Sequence, residues 1–171
     1  MILIREEKPQ DIGRIREIND AAFSQPNEGQ IVDWIRESCL DTLSLVAVMN
    51  GKIVGHIFFS PVEIESQSWI VKGMGLAPMA VTPDYQNQGI GSQLVCEGLS
   101  KVKKKGYPFV VVLGYPAFYP RFGFQQASGL GLKCQWKDVP DEAFMAIIFN
   151  EEKMKGVAGV ARYRDEFDGA M

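Results

Sequence analysis

The chain has 171 residues, of which 46% are hydrophobic and 23% are charged. This length fits one domain, and this apolar fraction supports a core and excludes general disorder. Eighteen basic and 21 acidic residues give a net charge of −3, which argues against binding nucleic acid through a bulk positive field.

The numbers of cysteines and histidines and the hydropathy of the chain exclude further classes of protein. Cys39, Cys96 and Cys134 are odd in number and widely spaced, so a reducing cytoplasm fits better than a disulfide framework or a zinc site. His56 is the single histidine, which excludes a multi-histidine metal site. The N-terminus is charged at residues 5–7, too early for a signal peptide, and no apolar run reaches the roughly 18 residues of a membrane span. We therefore expect a cytoplasmic protein without a bound metal.

The first half of the chain predicts two helices between strands. Apolar residues recur every three or four positions after Pro9 and again after Glu28, as in amphipathic helices. Asn50-Gly51 stands between two β-rich runs and predicts the type I′ turn of a hairpin. The predicted elements are a strand at 2–5, helices from Pro9 and from about residue 28, and hairpin strands at 45–49 and 52–59, the latter continuing to about 65.

The second half predicts a strand, a loop, a helix and a strand in succession. The first of these strands ends at residue 81 and contains Pro78, whose missing N–H is expected to disturb the pairing. An apolar stripe over 89–105 predicts a helix that Gly106 closes. The continuous apolar run 109–113 is typical of a strand buried on both faces.

These elements predict one domain over residues 1–171, of α/β or α+β class, with a mixed sheet built around a βαβ unit. Two more strands are predicted near 129–135 and 143–149. Cys96 is predicted to be buried beside the apolar face of the long helix. The three tryptophans, Trp34, Trp69 and Trp136, are predicted to lie in the core, although an exposed one would mark an interface.

The segment QNQGIGS at 86–92 lies between a strand and the long helix. Backbone N–H groups at a helix start are unpaired, and the helix dipole favours an anion there. Gly89 and Gly91 lack the Cβ atoms that would keep a phosphate from the backbone, and Gln86 and Gln88 offer neutral donors. The segment predicts a phosphate or pyrophosphate site, with an unliganded helix start as the alternative. It has neither the lysine of a Walker A loop nor the third glycine of a dinucleotide fingerprint.

The segment 114–124 is rich in aromatic residues and follows the strand at 109–113. It is therefore expected near the same end of the sheet as the segment 86–92. Tyr119 could donate a proton, since an unperturbed phenol with a pKa of about 10 stays protonated at pH 7. The alternative for Tyr119 is a packing role only.

These two segments resemble motifs of the GCN5-related N-acetyltransferase superfamily. The pattern QxxGxG at 86–91 is similar to its acetyl-CoA loop, and YxxxGF at 119–124 is similar to its tyrosine motif. Residues 79–85 resemble the strand and turn before that loop. Residues 54–57 and 118–124 look like the YhbS-like branch of predicted acetyltransferases. The order of elements agrees along nearly the whole chain.

The resemblance implies a mostly antiparallel sheet with a central βαβ unit, and transfer of acetyl from acetyl-CoA to a primary amine by direct attack in a ternary complex. Strand backbone would pair with the pantetheine arm, loop amides would hold the pyrophosphate, and Tyr119 would protonate the departing CoA thiolate. A strand N–H near Val81 would polarise the thioester carbonyl. The implied cofactor-binding residues are Met79, Ala80, Val81, Gln86, Asn87, Gln88, Gly89, Ile90, Gly91 and Ser92.

One departure from the family pattern precedes the tyrosine. Many members carry Asn-x-x-Ala on a longer helix, whereas this chain has the shorter GYPA at 114–117. An asparagine contact to the cofactor is therefore not carried over.

The amine also needs a base, because an amine with a pKa of about 10.4 is neutral in only about one molecule in 2,500 at pH 7. The resemblance places Glu28 near the acceptor loops of the family, and Glu63 lies on a predicted central strand. The alternatives are a first-turn acid that interacts with the helix dipole for Glu28, and a solvated strand position for Glu63. His56, among apolar neighbours, is predicted to be a core histidine rather than a base.

A non-catalytic acyl-CoA-binding or regulatory domain is the alternative function, and turnover with an amine distinguishes the two. The negative net charge favours a cationic amine, on a small molecule or on a protein. No nucleic-acid or membrane partner is expected, and a monomer or a homodimer fits. The lysines at 101 and 103–105 are predicted to form a solvated helix C-terminus, since about 18–24 Å of helix separates them from Gly89.

Overall fold

The computed structural model describes residues 1–168, which form nine strands and four α-helices. Short 3₁₀ turns join several of them. In chain order the elements are β1 (Ile2–Glu6), α1 (Ile12–Phe23), α2 (Asn27–Ser38), β2 (Leu43–Met49), β3 (Lys52–Ser66), β4 (Trp69–Val81), α3 (Ile90–Lys104), β5 (Phe109–Leu113), β6 (Gln125–Gln126), β7 (Leu132–Cys134), β8 (Phe144–Ile148), α4 (Glu151–Met154) and β9 (Gly159–Arg162).

The chain divides into two compact units. The first unit comprises residues 1–59, residues 77–100 and the stretch from Asp165, and the second unit comprises residues 60–76 and 101–164. β3, β4 and α3 contribute residues to both units, because the boundaries fall within them.

The first unit has an antiparallel arrangement of β1, β2 and β3 with the helices α1 and α2. Asn50 and Gly51 have positive φ angles of 50° and 76°, which form the tight hairpin turn predicted from the sequence. A Cβ at Gly29 would lie 2.5 Å from the side chain of Arg16, so this glycine lets α2 approach α1 closely. The two helices bury an apolar stripe formed by Ile15, Ile18, Ile31, Val32 and Ile35.

The second unit contains the parallel pair that the sequence predicts. β4 pairs with β5 in parallel over Met74–Leu76, as the two strands of a βαβ unit should. β8 pairs antiparallel with β5 and with β6, while β9 pairs antiparallel with β3 and parallel with β7. The predicted mixed, mostly antiparallel sheet with flanking helices is therefore confirmed.

Several local predictions need correction. α1 begins at Ile12 rather than at Pro9, because Pro9–Asp11 forms a 3₁₀ turn. Trp34 and Trp69 are 44% and 42% exposed, so the prediction that they lie in the core is wrong. Trp34 lies outside the buried face of α2, and Trp69 is the exposed first residue of β4.

Cys96 is exposed, which contradicts the prediction of a buried thiol. The buried face of α3 runs through Leu94, Val95, Leu99 and Val102, and Cys96 lies one residue beyond the first pair. Each residue turns a helix by about 100°, so this single step carries the thiol off the buried face. All three cysteines are free.

Two further features of residues 1–168 bear on function. No group of three or more His, Cys, Asp or Glu side chains in this part of the chain could hold a metal ion. None of its helices is both long enough and apolar enough to cross a membrane.

Candidate active site

The end of β4 and the loop after it are fixed by backbone bonds in the first unit. The N–H and the hydroxyl of Thr82 both donate to the carbonyl of Val54 in β3, at 2.9 and 3.2 Å. Pro83–Tyr85 then forms a 3₁₀ turn, closed by a 2.9 Å bond from the Tyr85 N–H to the Thr82 carbonyl. The strand Met79–Val81 thus leads into the predicted phosphate loop through a rigid corner. The Ala77–Pro78 peptide bond within β4 is cis.

The side-chain amides of the loop bind the loop itself. Gln86 Nε2 donates to the Val81 carbonyl at 2.9 Å, and Gln88 Nε2 donates to the Asp84 carbonyl at 3.4 Å. The sequence predicts both glutamines as neutral donors to a phosphate, whereas the structure uses one donor of each to hold the loop in shape. The groups that remain for an anion are mainly those of the backbone.

At the start of α3 the backbone has two positive φ angles and free space beside Gly89, which allows a ligand to approach it closely. Asn87 and Gly89 have positive φ angles of 62° and 84°, and a Cβ at Gly89 would meet no atom within 4 Å. The Gln93 N–H bonds to the Gly89 carbonyl at 3.1 Å, so Gly89 is the last residue before the helix. The N–H groups of the intervening residues 90–92 have no partner within the helix, as is general for a helix start.

Two glycines set the position of α3 in the first unit. A Cβ at Gly55 of β3 would lie 3.1 and 3.2 Å from the side chains of Leu94 and Ile90. A Cβ at Gly98 of α3 would lie 2.4 Å from the ring of Phe59. These close contacts fix the first two turns of the helix against β3, and with them the amides at its start.

Tyr119 lies in the second unit, at the start of a 3₁₀ turn spanning Tyr119–Phe122. Its ring meets the rings of Phe118 and Phe124 edge to face, at centroid distances of 5.0 and 5.7 Å. Burial, and to a lesser degree Tyr115, raises the pKa of Tyr119 to about 12. Among residues 1–168 no hydrogen bond engages its hydroxyl, so the phenol is protonated at pH 7 and available to a ligand.

Gly114 stands where many family members have the asparagine of the Asn-x-x-Ala pattern, and the packing of Tyr119 gives a reason for it. A Cβ at this position would lie 2.2 Å from Cε2 of Tyr119, a distance that atoms cannot reach without displacement. The glycine therefore makes room for the tyrosine ring. The first residue of the segment GYPA is set by packing against Tyr119.

Tyr163 is a further residue near this position that sequence reasoning did not find. It is buried in the second unit, and burial raises its pKa far above the usual value, with Cys134 and Tyr119 contributing. A Cβ at Gly75 would lie 2.7 Å from the Tyr163 ring, so glycine there admits the ring. No motif marks Tyr163, which follows the four-residue strand β9.

The two candidate bases differ in their surroundings. Glu28 lies in the first turn of α2, where Oε1 accepts a 2.8 Å bond from Gln25 while the buried Oε2 has no partner among residues 1–168. Glu63 lies in the second unit, opposite Arg162 of β9, with an exposed side chain. Of the predicted site residues, the loop and Glu28 belong to the first unit, and Glu63 and Tyr119 to the second.

His56 is a buried core residue, as the sequence predicts. Asn19 Nδ2 donates to its Nδ1 at 3.1 Å and to the Ile15 carbonyl at 3.0 Å, so the ring proton is on Nε2, which donates to Ser44 Oγ at 2.8 Å. The Ser44 hydroxyl in turn donates to Glu7. Burial, followed by the charge of Arg36, lowers the pKa of His56 to about 3. The Ser44 hydroxyl donates its proton to Glu7 and accepts from His56. His56 therefore does not act as a base that would make Ser44 a nucleophile.

Comparison with known proteins identifies the family. The model of the acetyltransferase (GNAT) domain family matches residues 3–127. The uncharacterized N-acetyltransferase YhbS of Escherichia coli K12 is 36% identical over 168 residues, which is 98% of this chain and 99% of that protein.

Two solved structures agree with this assignment. The crystal structure of the E. coli GNAT family N-acetyltransferase YhbS in complex with CoA has a TM-score of 0.90 and 37% identity, covering 98% of this chain and 92% of that one. A GNAT family acetyltransferase from Brucella melitensis in complex with acetyl-CoA has a TM-score of 0.78 and 35% identity, covering 98% and 99%. The chain therefore belongs to the GCN5-related N-acetyltransferase (GNAT) family.

Proposed function

We propose that this protein moves an acetyl group from acetyl-CoA to a primary amine, by direct attack in a ternary complex. The observation that carries the proposal is the start of α3, where the open backbone at Gly89 precedes amides that, as at any helix start, have no partner within the helix. Family membership supports it, as do the relatives from E. coli and B. melitensis that were solved with CoA and acetyl-CoA. The expectation of a single domain over residues 1–171 stays a prediction.

The geometry of the loop supports binding of acetyl-CoA. Backbone amides over residues 86–92 would hold the pyrophosphate, because no Cβ stands between Gly89 and an approaching oxygen. The backbone of residues 79–81 would bind the pantetheine arm. An N–H near Val81 would polarise the thioester carbonyl that acetyl-CoA supplies.

Tyr119 would act as the acid toward the departing thiolate. Its pKa of about 12 lies above the roughly 8.5 of an ordinary thiol, so complete transfer of the phenol proton is uphill. The hydroxyl therefore stabilises the developing thiolate chiefly as a hydrogen-bond donor. Because this pKa also lies above the value of about 10.4 for an amine, Tyr119 keeps its proton over the pH range in which the amine loses its own.

Glu28 is the stronger candidate for the base. Its Oε2 is buried and has no partner among residues 1–168, so an ammonium group or a bridging water would satisfy it. Glu63 remains a second candidate, on an exposed strand position. The net charge of −3 favours a cationic amine as acceptor, on a small molecule or on a protein. A monomer or a homodimer stays the expectation for the oligomeric state.

Calorimetric titration with acetyl-CoA at neutral pH tests the proposal, with Gly89→Ala and Gly51→Ala as matched variants. Both glycines have a positive φ and no atom within 4 Å of an added Cβ, so both substitutions carry the same backbone strain. We expect micromolar binding for the native protein and for Gly51→Ala, and a loss of at least about tenfold for Gly89→Ala alone.

Equal affinities for the two variants, or no binding at millimolar acetyl-CoA, would overturn the assignment of the loop. A screen of primary amines for release of free CoA then tests turnover. Binding without turnover of any amine would favour the non-catalytic acyl-CoA-binding domain instead.

A further inference from the structure

The second unit contains an open surface pocket of about 520 Å³ (the cavity) that none of the proposed catalytic or cofactor-binding residues lines. Its volume lies within the range of small-molecule sites in proteins. The wall is formed by the first residues of β4, the turn from α3 to β5, and one residue of α4. The lining residues are Trp69, Ile70, Val71, Lys72, Lys105, Gly106, Tyr107, Pro108 and Lys153.

Backbone bonds hold this wall together. Gly106, with a φ of 91°, ends α3 through a 3.0 Å bond from its N–H to the Lys103 carbonyl. The Pro108 carbonyl accepts bonds from the N–H groups of Phe149 and Asn150 at 2.8 and 3.2 Å. The Asn150 side chain then caps α4 by accepting from the Lys153 N–H at 3.0 Å. The turn from α3 to β5 and the helix α4 are thus fixed to one another.

The charge of the cavity is positive in a protein of negative net charge. Three lysines line it, Lys72, Lys105 and Lys153, and no lining residue carries a carboxylate. The ammonium group of Lys103 lies 6.0 Å from the centre of the Phe149 ring, next to the same wall. The acids at 151 and 152 stand beside Lys153 in the first turn of α4 and are not among the residues that line the cavity.

The same cavity exposes a large aromatic surface. Trp69 is 42% exposed and Ile70 is 61% exposed, although both are large apolar residues. Tyr107 and Pro108 add apolar surface to the lining. A ligand that suits both properties has a flat ring that can stack on the tryptophan and several negative charges that can reach the lysines.

We propose that this cavity binds a nucleoside phosphate, with the base against Trp69 and the phosphates on Lys105 and Lys153. Lysine ammonium groups act as point charges for phosphate, and tryptophan supplies a face on which any base can stack. The cavity shares no residue with the loop 86–92, so the inference does not depend on the proposed transfer reaction.

Titration with ATP tests the inference, using protein saturated with acetyl-CoA so that the loop 86–92 is occupied. The double variant Lys105→Glu/Lys153→Glu reverses two charges in the cavity. Lys52→Glu/Lys133→Glu makes the same change at two exposed strand positions outside it. We expect saturable binding to the native protein and to the control double variant, below about 1 mM, and a loss of at least about tenfold in the cavity double variant. Acetyl-CoA affinity and thermal unfolding of the variants show whether both remain folded.

Inorganic triphosphate and Trp69→Ala separate the two parts of the proposed ligand. Removal of the ring should weaken ATP binding by about tenfold and leave triphosphate binding unchanged, since only a base can stack. Equal ATP affinity for both double variants, or no binding by the native protein, would overturn the site. Equal affinity for ATP and triphosphate, unaffected by Trp69→Ala, would overturn the assignment to a nucleoside.

Discussion

His56 in the first unit and Tyr119 in the second are both buried and both neutral at pH 7, yet their hydrogen bonds differ. Both ring nitrogens of His56 are engaged, by Asn19 on one side and Ser44 on the other. Tyr119 is surrounded by aromatic edges, and no hydrogen bond within residues 1–168 engages its hydroxyl.

Under the proposed function, this difference separates a structural group, His56, from a catalytic one, Tyr119. A buried polar group whose hydrogen bonds are all made stabilises the fold, because breaking any of them leaves an unsatisfied partner. The Tyr119 hydroxyl makes no hydrogen bond within residues 1–168 and is not among the buried atoms that lack a partner, so it can donate to a ligand without breaking a bond of the fold. We therefore expect His56 to control stability and Tyr119 to control turnover.

Tyr119→Phe tests the second half of this comparison and has the largest expected effect. It removes only the hydroxyl, so kcat should fall by about a hundredfold while the acetyl-CoA Kd stays within about twofold. Steady-state kinetics and calorimetry measure the two quantities. Tyr115→Phe is the control, since Tyr115 is 80% exposed and should lose little. Native turnover in Tyr119→Phe would remove the role as an acid.

Gly114→Ala asks whether the packing around Tyr119 is as tight as the ring contacts indicate. The added methyl group would lie 2.2 Å from the tyrosine ring, which the neighbouring phenylalanines hold in place. We expect the free energy of unfolding to fall by about 2 kcal/mol, as in other overpacked cores, and kcat to fall with it. Gly129→Ala is the matched control in the same unit, because no atom lies within 4 Å of its added Cβ. Equal urea midpoints for the two variants would contradict the packing argument.

The pH dependence of stability tests the first half of the comparison. The pKa of His56 falls from 6.5 to about 3 on folding, so below pH 6.5 the unfolded chain binds the proton more strongly than the folded one. The contribution of neutral His56 to the free energy of unfolding is therefore fully present above pH 6.5 and is lost as the pH falls toward 3. The loss at pH 5 is about 2 kcal/mol. Urea unfolding at pH 7 and pH 5 measures this loss.

His56→Gln is the control for that measurement, since it removes the titrating ring and keeps Glu7 and Arg36. The loss between pH 7 and pH 5 should shrink by about 2 kcal/mol in this variant, whatever its stability at pH 7. Equal losses in the two proteins would show that His56 is not the group responsible. Because the chain has one histidine, its imidazole NMR signal also reports the tautomer, and we expect the proton on Nε2.

Elements with a local signal could be predicted from the sequence. The Asn50-Gly51 turn needs two positive φ angles, and the run 109–113 is apolar because both of its faces are buried, so each pattern identifies its own structure. The loop before α3 is similar, since its glycines and its place before an apolar stripe are visible without the fold. β6 and β9 could not be predicted, because strands of two and four residues show no periodicity and form only by long-range pairing.

The surroundings of the site residues could not be predicted for the same reason. The partners of His56 come from α1 and β2, 37 and 12 residues away in sequence, and no pattern joins them. The need for Gly114 likewise appears only when the ring of Tyr119 is in place. Sequence thus identified Tyr119 and the loop as residue types at fixed spacing, but not the contacts that decide their protonation.

Glu28→Gln extends the comparison between polar groups with and without hydrogen-bond partners to the first unit. It has the smallest expected effect on kcat. The buried Oε2 of Glu28 has no partner among residues 1–168, as the Tyr119 hydroxyl has none, whereas the side chain of Glu63 is exposed. If the free oxygen accepts the amine proton, kcat should fall by about tenfold in Glu28→Gln and its plateau should move to higher pH, because solvent alone then takes the proton. Glu63→Gln, measured in parallel over pH 6 to 10, should keep the native profile. An altered profile in Glu63→Gln alone would transfer the role to Glu63, and native profiles in both would show that neither carboxylate is the base.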